Sequence, residues 1–131
     1  MSIQFWCLLV AVNFPYVWGG VSVNLRKKEF GSIDNHEPRA QAAKATGAAA
    51  RAYAAHLNAW EALAVFAPAV IVAHLGAPNS TVAPILCLVW VAARLLHGVL
   101  YIANIAAARS AVFGVALLCA MALFFVGAGM L

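Results

Sequence analysis

The chain has 131 residues, of which 66% are hydrophobic and 9% charged, with a formal net charge of +4. Soluble domains carry about 25% charged and about 45–50% apolar residues, so this composition excludes an ordinary soluble domain and points to a membrane protein. The length suits one small domain with no separate soluble module. Six of the eight Lys and Arg residues lie between Arg26 and Arg51. A basic loop beside apolar runs is what membrane topology produces, so nucleic acid is not an expected partner.

The first apolar run covers about residues 3–24. It has neither a basic leader nor a small-residue cleavage site, so it reads as a retained span rather than a signal peptide. Asn13 and Pro15 interrupt it and predict a kinked helix whose polar group is satisfied by a neighbour, the alternative being an Asn13 that faces the bundle interior. Residues 25–50 form the one long polar segment, opening with Arg26-Lys27-Lys28 and continuing through Asp34, His36, Glu37 and Arg39. The alanine-rich part of this loop is expected to extend the second helix, because alanine favours helix strongly. The second span runs from about 51 to 74, the third from about 82 to 105 and the fourth from about 110 to 131. Each has the roughly 20 residues needed to cross a hydrocarbon core of about 30 Å. The connection at 76–81 carries no charge. This asymmetry predicts that loop 25–50 is cytoplasmic and that both termini lie outside.

Glu61 is the only acid within any span. A carboxylate there costs several kcal/mol unless it is paired, so it marks a candidate site. On a helix, Arg51, Asn58 and Glu61 share roughly one face, being seven and three residues apart. In the third span, Arg94, His97 and Tyr101 are three and four apart, and Asn104 follows three later. Arginine does not readily deprotonate, so Arg94 needs an anionic partner, and Glu61 is the economical choice. The plain alternative is a polar pair that only fixes helix registry. Against it, the cations outnumber Glu61, and the surplus suits a small carboxylate-bearing ligand. His56 lies well round the helix from Arg51 and reads as structural or interfacial, and His74 as a boundary residue. Cys7, Cys87 and Cys119 stand singly, so they read as buried thiols rather than a disulfide or metal framework. No metal-ligand set of the HExxH kind occurs.

Taken together, Ala55-His56-Leu57-Asn58 with Glu61, and Ala93-Arg94-Leu95-Leu96-His97 with Tyr101, resemble the second and third helices of microsomal glutathione transferases. The basic run Arg26-Lys27-Lys28 and the pair Arg109-Ser110 fit the same pattern. On these motifs the chain is identified as a member of the MAPEG family, the membrane-associated proteins of eicosanoid and glutathione metabolism. The resemblance implies an all-α, four-helix integral membrane bundle assembled as a homotrimer, with glutathione as co-substrate bound between protomers. It assigns glutathione binding to Arg51, Asn58, Glu61, Arg94, His97 and Tyr101, and catalysis to Arg109 and Tyr101, with no metal. Arg109 would hold the glutathione sulfur as a thiolate, which agrees with the lowering of a thiol pKa beside a cation. One position departs from the pattern: Ala54 stands where glutathione-using members commonly have an arginine.

The expected function is therefore a glutathione-dependent transferase or peroxidase acting on lipophilic electrophiles, in a bacterial inner membrane. The alternatives are a non-catalytic binding protein of the same fold and a small transporter or channel.

Overall fold

A computed structural model describes residues 1–131. Five helices follow one another without strands: α1 (Ile3–Phe30), α2 (Pro38–Lys44), α3 (Gly47–Gly76), α4 (Val82–Ile102) and α5 (Ala106–Gly127). All but α2 are long and apolar enough to cross a membrane. The chain is thus an all-α, multi-pass integral membrane helical bundle. Consecutive spans run antiparallel, so the C-terminal ends of α1 and α4 lie with the N-terminal ends of α3 and α5. This shared end carries the basic loop and is called the basic end below.

Helices α1, α3 and α5 overrun the spans expected from hydropathy at the basic end, whereas α4 stops short, at Ile102 instead of about 105. Helix α1 has 28 residues and α3 has 30, or about 42 and 45 Å at 1.5 Å per residue. Both therefore project beyond a hydrocarbon core of about 30 Å. The alanine-rich stretch is not one continuous extension of α3, because the chain breaks at Ala45 and Thr46. The Glu29 carboxylate holds that break, accepting from the Thr46 backbone N–H at 2.9 Å and from its hydroxyl at 2.6 Å. Upstream, buried Arg26 donates to the Pro38 carbonyl at 2.9 Å, and Gln41 donates to the Ser32 carbonyl at 2.9 Å. The polar loop is thereby strapped across the end of the bundle.

Small residues let the long helices approach. Ala49, Ala52, Ala55 and Ala59 are buried at three- and four-residue intervals along α3, the spacing of one helix face. Leu63, Phe66, Val70 and Ala73 continue that face towards the opposite end. Phe66 stacks on Trp90 of α4 with centroids 3.7 Å apart and planes 7° from parallel. Helix α1 packs chiefly on α3, and α4 chiefly on α5. At the uncharged end, the backbones of Gly76 and Gly127 approach so closely that a Cβ on either would overlap the other chain segment. Leu88, Val89, Leu95, Leu96, Leu117 and Leu118 are exposed, as suits a surface solvated by lipid.

Pro15 lies inside α1 and is buried. The ring of His56 on α3 donates from Nδ1 to the Pro15 carbonyl at 2.7 Å, since a carbonyl can only accept. His56 thus has a structural partner. Gly19 leaves it room, because a Cβ there would stand 3.1 Å from Nδ1. Asn13 donates to the Leu9 carbonyl at 2.7 Å on the exposed face, so its amide is satisfied within its own helix and not inside the bundle.

Gly98 is a notch for Trp18. A Cβ at Gly98 would overlap the indole ring, and both residues are buried. Overpacking of this kind costs about 1–3 kcal/mol. Gly98→Val is expected to lower the thermal midpoint in detergent, whereas the same change at Gly20, where a Cβ meets nothing, should leave it nearly unchanged. Equal midpoints for the two variants would refute the notch.

Candidate functional site

Two polar clusters lie on the face of α4 that carries Arg94, His97 and Tyr101. The first is centred on Arg94, which is 3% exposed. Its Nη2 donates to the backbone carbonyl of Asn58 at 3.1 Å and to the Asn58 side-chain oxygen at 2.8 Å. The Asn58 amide nitrogen in turn donates to Glu61 Oε2 at 3.0 Å. The direct Glu61–Arg94 pairing expected from the sequence is therefore replaced by a relay. Asparagine can do this because its side chain has an acceptor for the guanidinium and a donor for the carboxylate.

Asn58, Glu61 and Arg94 line one end of a groove of about 190 Å³ on the flank of the bundle. Trp90 also lines it, with Ala62 and Val65 of α3 on one side. The opposite wall is Phe113, Ala116, Leu117 and Ala120 of α5. These four fall at i, i+3, i+4 and i+7, one helical stripe. Beyond Arg109 at the start of this helix, no residue of the fourth span was expected in the site, although that spacing and its two alanines were the available signal. Glu61 is exposed, while Nε and Nη1 of Arg94 have no protein partner. The groove thus offers both a free carboxylate edge and free guanidinium donors.

The second cluster lies nearer the basic end. The Arg109 guanidinium sits over the Tyr101 ring, 4.4 Å from its centroid, within range of a cation–π contact. His97 is buried and meets Tyr101 edge-on, with centroids 5.6 Å apart. Its other aromatic neighbour is Phe113, at 6.0 Å. Tyr101 is seven residues beyond Arg94, or about 10 Å along the helix axis. Helix α4 ends at Ile102, and a turn of three residues leads into α5. That short link brings Arg109 back over Tyr101. Asn104, which continues the spacing of the stripe, lies in the turn with φ 63°. It serves the backbone there and is exposed.

Arg51 stands apart from both groups. It does not line the groove, and its Nε donates to the carbonyl of Ile102 at 2.9 Å. Ala54 is half-buried on α3. The thiols of Cys7, Cys87 and Cys119 are free and buried, and no group of His, Cys, Asp and Glu side chains is arranged to hold a metal ion.

These features define the class: an integral membrane helical bundle with a charged groove cut into its apolar flank. The family follows from the sequence match, since the model described as MAPEG family covers residues 3–129, nearly the whole chain, and the protein belongs to that family. Membership places it broadly in membrane-associated glutathione or eicosanoid metabolism, in a family associated with glutathione use. No curated protein and no solved structure matches the chain significantly.

The relay predicts strong coupling. Hydrogen bonds to charged groups contribute about 1.5–3 kcal/mol, and removing one partner leaves the other unsatisfied. A double-mutant cycle of Asn58→Ala with Arg94→Met should give a coupling energy of about 1 kcal/mol or more. It is measured from unfolding in mixed micelles, and additive effects would mean that the two side chains do not cooperate.

Proposed function

We propose that the protein is a glutathione-dependent transferase or peroxidase acting on a lipophilic electrophile, with the glutathione thiolate held by Arg109. The observation that carries this reading is the Arg94–Asn58–Glu61 relay at one end of an apolar groove. A charged arginine and a carboxylate inside a membrane span are costly. Their unfilled hydrogen-bonding edges suit a ligand bearing both an ammonium and carboxylates.

Glutathione has that chemistry. The Glu61 carboxylate takes the ligand's ammonium group, and the free Nε and Nη1 donors of Arg94 take a ligand carboxylate. The γ-linked glutamyl arm places the thiol, on the central residue, seven bonds from the ligand's amino-bearing carbon, roughly 8–9 Å when extended, close to the rise of about 10 Å along α4 from Arg94 to Tyr101. A ligand anchored at the first cluster can therefore present its thiol at the second. There the Arg109 charge stabilises the thiolate, and the Tyr101 hydroxyl donates a hydrogen bond to the sulfur. His97 holds the Tyr101 ring edge-on. The thiolate then attacks the electrophilic carbon, forming an S–C bond while the carbon–leaving-group bond breaks and its electron pair departs with the leaving group; with a peroxide it forms an S–O bond as the O–O bond breaks, and the released alkoxide takes a proton from water. The apolar stripe of α5 receives the lipophilic part of that substrate, and no metal takes part.

The exposed position of Glu61 suits a site shared with a neighbouring copy, as in the homotrimer that the family resemblance implies. In a lone protomer its carboxylate faces lipid, whereas a neighbouring copy packed on the same flank would enclose the groove. The concentration of Lys and Arg at the basic end supports a cytoplasmic loop with both termini outside.

The test is glutathione binding to the purified protein, followed by the ultraviolet absorbance of the thiolate. The cation should shift the titration of the bound thiol below its ordinary value of about 8.5. Thiolate therefore persists at pH values where free glutathione is protonated. Arg109→Ala should keep the tripeptide bound but lose the thiolate signal, while Arg94→Met should lose binding itself. Absence of binding at millimolar glutathione would sink the proposal. Binding without any thiolate would instead favour a non-catalytic binding protein, the reading to which Ala54 lends weight.

A further inference from the structure

We infer that Arg51 is a positioning residue for the Tyr101–Arg109 corner and not a ligand for the tripeptide. This inference rests on the glutathione reading above and assigns Arg51 a different role from the one the family resemblance implies.

Helix α4 ends one residue beyond Tyr101. The last carbonyls of any helix have no partner within that helix. Here the Asn104 N–H bonds to the Tyr101 carbonyl at 3.2 Å, and the Ile105 N–H bonds to the Leu100 carbonyl at 3.0 Å. With Asn104 in the left-handed region at φ 63°, these are the paired bonds of a Schellman turn. The Ala103 N–H satisfies Val99 at 2.9 Å. Ile102 is left over, and the Arg51 side chain reaches across from α3 to take its carbonyl at 2.9 Å. A cation at a helix C-terminus is also favoured by the helix dipole.

This contact is one of two rungs between α3 and α4. The other is the bond from Arg94 to Asn58 at 2.8 Å. The rungs are seven residues apart on α3 and eight apart on α4, about 10–12 Å in each case. Two rungs at matched spacing fix both the register and the local crossing of the helices. The carbonyl that Arg51 holds immediately follows Tyr101. After only three linking residues α5 begins at Ala106 and carries Arg109 back over the Tyr101 ring at 4.4 Å. Loss of the Arg51 rung frees the turn that sets where Arg109 stands, while the Arg94–Asn58–Glu61 end of the groove keeps its own bonds.

Binding and thiolate formation should therefore separate in an Arg51 variant. Arg51→Met keeps the length and the apolar stem but has no donor. Its dissociation constant for glutathione should stay within about threefold of wild type. Thiolate absorbance at saturation and kcat should fall by about tenfold or more, as displacement of a catalytic group by about 1 Å can cause. Arg51→Lys, which restores a donor, should recover part of both. Hydrogen exchange at the amides of residues 103–106, measured without glutathione, should quicken in Arg51→Met. A rise in the dissociation constant of about tenfold with kcat unchanged would make Arg51 a ligand and overturn the inference. Unchanged kcat, thiolate and exchange in Arg51→Met would also overturn it. If the wild-type protein binds no glutathione, the functional reading fails on its own. The exchange rates then decide alone whether Arg51 holds the corner.

Discussion

The Asn58 amide, set between a guanidinium and a carboxylate, is the contact on which the rest of the arrangement depends. Water would solvate both charges at the surface of a soluble protein, and Asn58 would matter little. Inside a span there is little water, and an unpaired charge is expensive. The side chain of Asn58 bonds to both groups at 2.8 and 3.0 Å. It thereby fixes α3 against α4 and leaves the outer edges of both charges free. A direct Glu61–Arg94 pair would have consumed those edges.

Around that contact, packing does what hydrophobicity cannot. Lipid is as apolar as leucine, so close approach of the helices rests on small residues and on shape. The alanine seam of α3, the Trp18 notch at Gly98 and the Phe66–Trp90 stack are three solutions to one problem. Each buries a large flat surface or removes a side chain where backbones must meet. The same economy appears at His56, whose ring supplies a donor to the carbonyl of Pro15.

Much of this was legible in the sequence for a simple reason. Four runs of apolar residues long enough to span a bilayer leave little choice of fold, and the helix period put Arg94, His97 and Tyr101 on one face before any coordinates. What was not legible depended on contacts distant in the chain. The break before α3 falls within an alanine-rich stretch of high helix propensity, and it is imposed by Glu29, seventeen residues upstream. The Asn58 relay required knowing the distance between two helices, which spacing along either one does not contain. Arg51 shares a face with Asn58, yet its partner was set by where α4 stops, at Ile102 instead of the expected 105. The apolar wall on α5 escaped notice because its one signal, two alanines in a stripe at helical spacing, is shared by stripes that face lipid or core.

The close meeting of Gly76 and Gly127 has a consequence for transit. Helices α3 and α5 touch backbone to backbone at the uncharged end and flank the groove closer to the basic end, so together they form a wedge shut at its tip. Within one protomer, anything lodged between them is in a blind slot. A solute can enter and leave sideways or from the wide end, but it meets a plug of main chain if it moves further along the bundle axis. Within one protomer, that contact closes the route between α3 and α5 at the uncharged end.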